Sequence, residues 1–341
     1  MRSLKLLLLC VVVSVLGCSS TKDHSKDSVG FEIISQKEGY TIQVKNPWNS
    51  ATFLSQLTVA QPYKRIICTS ATHIGFLKAL NKTDCIVGVC NRNLIYTPLS
   101  DSVVDVGDSM QPDLEKIIHL QPDIVLLVAY SPNDVVANQL QKMNIPFLYI
   151  NEWMENEPLM RTQWIRVFGA LTNSLATADS VYAEVCHDYD SIRTLACEAK
   201  DTTWIMSGQD FRGTWYVPSG NSYMSHLFAD AGFHYVYADK QTDNSSLPLK
   251  FEQVLLDFQH ADVWVGCSAN SLTELQNINP KHSLFKAYQE KQVYNFYRRT
   301  TPYGANDFWE NGVVHPEKLL QDLYAIRTHD TTSTFTLHLP D

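Results

Sequence analysis

Seven aromatic residues and one arginine stand where a chain of alternating strands and helices turns back on itself. They are Tyr130, Trp153, Phe211, Trp215, Tyr303, Phe308 and Trp309, with Arg212 next to the third. Rings bind by stacking and by removing apolar area from water, and a guanidinium forks onto a carboxylate or another pair of anionic oxygens. That is chemistry for holding a molecule. His73, just past the first strand of the main fold, stands where a metal ligand, a cap or a packing residue would sit. A bare Zn²⁺ or Mn²⁺ ion needs three or four converging His, Asp, Glu or Cys side chains. The eleven histidines are scattered, without HxH, HExxH or CxxC, and Asp307 and Glu310 are the other acidic candidates near these aromatics. GxSxG, a P-loop and GxGxxG are absent, which leaves acyl transfer, nucleotide and dinucleotide chemistry without a foothold.

The elements that position these residues are arranged about the midpoint. Apolar residues recur at Met160, Trp164, Phe168 and Leu171, then at Ala178, Val181, Tyr182, Val185, Tyr189 and Ile192. This is the spacing of one helical face, and it predicts a shorter helix followed by a long one over 175–199 that contains neither Gly nor Pro. Such a helix, on the order of 37 Å long, can span two lobes. The flanking halves echo each other: Glu115-Lys116-Ile117-Ile118 leads to Pro122-Asp123-Ile124-Val125, and Glu252-Gln253-Val254-Leu255 leads to Ala261-Asp262-Val263-Trp264. Each reads as an amphipathic helix, a turn with an Asp and a strand of continuous apolar residues, the signature of a parallel sheet covered on both faces.

The expected fold is therefore α/β, two Rossmann-like lobes with mostly parallel sheets joined by a long α-helix, and a ligand cleft between the lobes. First-lobe strands are expected at 65–68, 86–89, 103–106, 124–128 and 147–150, and second-lobe strands at 203–207, 215–217, 235–237, 263–266 and 293–296. Ligands of such sheets gather beyond the carboxyl ends of the strands, which nominates the loops from Thr69, Cys90, Tyr130, Asn151, Gly208, Cys267 and Tyr297. The irregular stretch 298–311 reads as a gate.

The chain opens with Arg2 and Lys5, an apolar run over 6–16, and then Gly17-Cys18-Ser19-Ser20. The run is too short to span a membrane and fits an export signal, with a Gly-Cys pair like a lipobox, so Cys18 is the expected lipidated residue. The resulting organisation is a signal peptide over 1–17, a tether over 18–29, a hairpin and lead-in over 30–60, lobes over 61–174 and 200–330 flanking the helix, and a tail over 331–341. The net charge of −9 becomes more negative once Arg2 and Lys5 are removed, which disfavours nucleic acid and anionic membrane surfaces. Cys68, Cys85, Cys90, Cys186, Cys197 and Cys267 remain, an even number that permits disulfides in an exported chain while leaving the pairing open.

A family likeness is carried by ordered segments: Arg65-Ile66-Ile67-Cys68-Thr69-Ser70-Ala71-Thr72-His73, Ile86-Val87-Gly88-Val89, Asp105-Val106-Gly107, Gly213-Thr214-Trp215-Tyr216-Val217-Pro218-Ser219-Gly220 and Asn306-Asp307-Phe308-Trp309-Glu310-Asn311-Gly312. In that order they resemble the solute-binding proteins that serve ABC importers of iron chelates and cobalamin. The resemblance implies a lipid-anchored monomer of the cell envelope, facing the periplasm, that captures an iron-siderophore, haem or corrinoid and delivers it to an importer permease. It implies no intrinsic cofactor and no enzymatic activity. His73, Tyr130, Trp153, Phe211, Arg212, Trp215, Tyr303, Phe308 and Trp309 become the expected ligand contacts. Binding of a free transition-metal ion, and a metal-cluster enzyme built on the strand-end cysteines of a related fold, are the alternatives. The family docks its permease through a Glu in the first helix of each lobe, and Gly75 and His226 stand at those positions here, with Asp230 nearby.

Overall fold

The computed structural model describes residues 30–199, 201–242 and 245–341, so Cys18 and the segments assigned to signal and tether lie outside the described residues. Strands β1 (Phe31–Ser35), β2 (Tyr40–Lys45) and β3 (Phe53–Val59) form an antiparallel sheet of their own. The expected hairpin thus has a third strand. The first-lobe sheet contains β4 (Ile66–Cys68), β5 (Ile86–Val89), β6 (Val104–Asp105), β7 (Ile124–Leu127) and β8 (Phe147–Tyr149), all parallel, in the order β6-β5-β4-β7-β8. Helices α1 (Ala71–Ala79), α2 (Leu114–Leu120) and α3 (Val135–Lys142) follow β4, β6 and β7. The order reverses at β4, which puts a crevice at its carboxyl end.

Two further helices, α4 (Pro158–Gln163) and α5 (Ile165–Leu171), meet at Trp164 and lead to α6 (Leu175–Glu198). At 24 residues, α6 is roughly 36 Å long. Its buried face changes partner along its length. Ala178 belongs to the first lobe's core, Val185 and Tyr189 belong to the second's, and Val181 touches both. One amphipathic stripe therefore serves two cores, and the lobes hang from a continuous hydrogen-bonded rod.

In the second lobe, β9 (Ile205–Ser207) begins a sheet, while β10 (Asp210–Phe211) and β11 (Thr214–Pro218) leave it. After α7 (Tyr223–Asp230) come β12 (Ser246–Leu249), α8 (Phe251–Phe258), β13 (Val263–Val265), α9 (Leu272–Ile278), α10 (Lys286–Gln289), β14 (Val293–Asn295), α11 (Asp307–Glu310), α12 (Pro316–Thr328) and β15 (Leu337–His338). The main sheet runs β15-β14-β13-β9, parallel except for β15. Two expectations need correcting. The Trp215 strand belongs to a separate antiparallel sheet, β10-β11-β12, and Tyr235 and Tyr237 lie in a turn where their rings pack on Phe258.

The sequence echo has a structural cause. Asp123 Oδ2 accepts from the Lys64 and Arg65 amides at 2.7 and 2.9 Å, and Asp262 Oδ2 accepts from the Trp204 amide at 2.7 Å. In both lobes the amide of that same Asp donates back, to the Arg65 and Trp204 carbonyls, each at 2.8 Å. Each aspartate pins the first strand of its lobe to the neighbouring strand that the aspartate precedes, β4 to β7 in the first lobe and β9 to β13 in the second.

A second connection crosses between the lobes. After β14 the chain passes through α11 into the first lobe, where Val313 and Val314 join its core and the Thr162 hydroxyl donates to the Val313 carbonyl at 3.0 Å. Helix α12 then returns to the second core. The segment expected to gate the cleft is thus a strap. It crosses α1 at Gly75, where any Cβ would lie inside the van der Waals envelope of the Glu310 carbonyl oxygen. The Gly75 backbone is covered by the strap, and the partner is main chain that cannot swing aside. Gly75→Ala is therefore expected to cost about 1–3 kcal/mol despite the ~1 kcal/mol alanine gains inside a helix. An unchanged or raised urea midpoint would show that the contact opens freely.

Candidate functional site

A cleft of about 440 Å³ lies between the lobes, at the carboxyl ends of both sheets. The first lobe contributes Thr72 from α1, and Glu152 and Trp153 from the turn after β8. The second contributes Ser207, Gly266 and Phe296 at the ends of β9, β13 and β14, Tyr216 from β11, and Ser222 and Tyr223 at the start of α7. The strap adds Phe308, Trp309 and Gly312. Such strand ends are where the main-chain direction brings loops together, so the cleft follows from the parallel topology.

Phe308 stacks on Phe296 with ring centroids 4.4 Å apart and planes within 7°, and Trp309 meets Phe308 edge-on at 4.6 Å. Opposite them, Trp153 is backed by Tyr130 at 5.8 Å. Arg161 of α4 holds the polar end. Its Nε donates to the Glu155 carbonyl at 2.8 Å, Nη2 donates to the Trp153 carbonyl at 2.9 Å, and its guanidinium lies 4.1 Å over the Tyr223 ring. Burial pushes the Tyr223 phenol up to about 12, against the pull of Arg161. Glu152 is 2 % exposed. Burial raises its carboxyl above the usual range, while the Thr72 hydroxyl and Arg161 act in the other direction. Arginine over a ring, with its nitrogens fixed by carbonyls, is a preorganised donor.

The expected contacts divide. Trp153, Phe308 and Trp309 line the cleft, and Tyr130 stands behind Trp153 on a separate cavity of about 150 Å³ with Thr69 and Asp134. Phe211 and Arg212 form a hairpin tip, the guanidinium lying 5.1 Å over the phenyl ring, exposed and outside the cleft lining. Tyr303 is 82 % exposed on the strap and also outside that lining. Trp215 must be reassigned to the core. It is fully buried, its Nε1 donates to the Ser207 carbonyl at 3.0 Å, and Trp264, Phe285 and His282 surround it. Strand periodicity is the reason: Trp215 faces inward and Tyr216, one residue on, lines the cleft. His73 is likewise core. It is wholly buried near Phe168, and desolvation lowers its pKa to about 3, so the ring is neutral and away from the cleft.

Sequence reasoning passed over Glu152 and Arg161. The available signal was a charge on the apolar stripe begun at Pro158, and an acidic residue next to a nominated tryptophan. The described cysteines are free thiols, and burial pushes those of Cys90 and Cys267 up to about 12. At the positions named for docking, Gly75 is covered by the strap, His226 Nδ1 lies 3.3 Å from a Glu157 oxygen, and Asp230 accepts from the Tyr189 hydroxyl at 2.6 Å.

An uncharacterized lipoprotein of Methanocaldococcus jannaschii is 23% identical over 281 residues, covering 78% of this chain, which spans 65% of that protein. This chain thus covers slightly less than two thirds of that relative's length. The iron-uptake system-binding protein of Bacillus subtilis is 26% identical over 213 residues, covering 59% of this chain and 63% of its own length. Among solved structures, a periplasmic vitamin B12 binding protein of Vibrio cholerae aligns with a TM-score of 0.59 at 12% identity, covering 79% of this chain and 98% of its own, a likeness of fold. The sequence model described as "Periplasmic binding protein" matches residues 66–298, most of both lobes and the helix joining them, and the chain belongs to that family.

Proposed function

We propose that this protein captures a chelated metal, as an iron-siderophore, haem or corrinoid, in the inter-lobe cleft and delivers it to an ABC importer, anchored to the cell envelope by lipid on Cys18. The observation that carries this reading is the cleft itself. Its wall is predominantly apolar and aromatic, with Thr72, Glu152, Arg161 and a few serines as its polar groups, which suits a large ligand with apolar edges and few polar substituents. A bare ion would need converging ligands, and among the described residues no group of three or more His, Cys, Asp or Glu could hold a metal ion. Membership of a binding-protein family and the names of the relatives support a carrier over an enzyme. No helix among the described residues is long and apolar enough to cross a membrane, which fits attachment through lipid.

The test is titration of purified protein with haem, a ferric hydroxamate and a corrinoid, followed by quenching of tryptophan fluorescence and by the visible spectrum. At least one class should bind saturably with a stoichiometry of one. Failure of all three overturns the proposal.

A further inference from the structure

The short helix α11 turns its two sides to different lobes. Phe308 belongs to the second core and stacks on Phe296, and Asn306 fastens that pairing, its Oδ1 accepting from the Phe308 amide at 3.0 Å and its Nδ2 donating to the Phe296 carbonyl at 2.9 Å. Phe308 and Trp309 line the cleft, and Glu310 lies outside that lining. Glu310 is fully buried, and its carboxylate accepts from the Tyr96 and Thr97 amides and the Thr97 hydroxyl of the first lobe. Helical residues turn by about 100° each, so the side chains of Phe308 and Glu310 leave the turn on roughly opposite sides. One hydrogen-bonded turn, closed by the Asn311 amide on the Asp307 carbonyl at 2.8 Å, thus carries part of the cleft wall on one side and a first-lobe anchor on the other.

The anchor tolerates little displacement. If the turn slipped away, a desolvated carboxylate and two amides would be left unpaired together. Movement the other way is blocked, because the Glu310 carbonyl oxygen already lies against Gly75 of α1. Arg299 adds a second link to the same first-lobe stretch, pairing with Asp307 at 2.6 Å and placing its guanidinium 5.5 Å over the Tyr96 ring. The rings of Phe308 and Trp309 therefore owe their place at the wall to contacts made outside the cleft. A molecule resting on them stabilises that place, and by linkage it stabilises the bonds that define it.

We infer that Glu310 is a positioning residue for the cleft: it touches no ligand, holds Phe308 and Trp309 at the wall through Tyr96 and Thr97, and is held more firmly when the cleft is occupied. The inference rests on the proposed capture of a ligand between the lobes and is indifferent to the class of that ligand.

Amide hydrogen exchange and ligand titration provide the test. In the empty protein, Phe308→Leu removes the stack on the far side of the turn, and protection of the Tyr96 and Thr97 amides should fall at least about fivefold while β4 and β7 keep theirs. Unchanged protection at both amides shows that the turn transmits nothing and overturns the inference. With whichever of haem, a ferric hydroxamate and a corrinoid binds the full protein, saturation should raise protection at the same two amides at least about fivefold, and Glu310→Ala should weaken that binding about tenfold. Glu310→Gln keeps one carbonyl acceptor and should lose less. Asp322→Ala is the control. It removes another buried acceptor, of the Thr334, Phe335 and Thr336 amides at 2.6, 2.6 and 2.9 Å, away from the cleft lining, and should leave affinity within about twofold. Equal losses in Glu310→Ala and Asp322→Ala, or wild-type affinity in Glu310→Ala, overturn the positioning role and leave the proposed function in place. If none of the three ligands binds, the proposed function falls, and exchange in the empty protein alone decides whether Glu310 holds the wall.

Discussion

Trp215→Ala should lower the stability of the protein by about 3–5 kcal/mol, the range for removing a large aromatic side chain from a closed core. The indole is fully buried among Trp264, Phe251, His282 and Phe285, and it caps the Ser207 carbonyl at 3.0 Å. Its loss leaves a cavity and an unpaired acceptor at the end of β9, on Ser207, which itself lines the cleft. Urea unfolding followed by circular dichroism measures the effect. Trp153→Ala is the contrast, since that ring lines the cleft and is 40 % exposed. An unchanged midpoint for Trp215→Ala, accompanied by lost ligand affinity, would return the indole to the binding site.

Glu310→Ala is expected to loosen the strap and to cost roughly 3 kcal/mol, because several donors lose their acceptor together and each buried unpaired donor costs about 1–3 kcal/mol. The Glu310 carboxylate accepts from the Tyr96 amide at 2.6 Å, from the Thr97 amide at 3.0 Å and from the Thr97 hydroxyl. These groups lie in the first lobe, and the chain that carries Glu310 arrives from the second. Asp307, in the same turn, pairs with Arg299 at 2.6 Å and steadies the strap from its own side. The measurement is amide hydrogen exchange. Tyr96 and Thr97 should lose protection well before the strands of either core. Unchanged protection at both amides would mean that Val313 and Val314 hold the strap by packing alone. With α6 and the strap both crossing between the lobes, closure on a ligand should be small, since a continuous helix resists bending.

Much of this architecture was determined by the sequence alone, because the features concerned are local. An apolar stripe over 175–199 without Gly or Pro can hardly be anything but a long helix, and continuous apolar runs such as Ile124–Leu127 and Val263–Val265 require cover on both faces. Parallel strands then require crossovers, and their carboxyl ends must share a crevice. Trp153, Phe308 and Trp309 lie on that crevice for this reason. Tertiary structure decided whatever depends on phase or on distant partners. A shift of one residue along β11 exchanges Trp215 for Tyr216, and no local pattern shows which side of so short a strand the second core will cover. The strap is invisible locally because Gly75 and Glu310 are ordinary residues until the backbone of one meets the other. Glu152 and Arg161 gain their chemistry from desolvation, and desolvation belongs to the assembled lobes rather than to the segment that carries either residue.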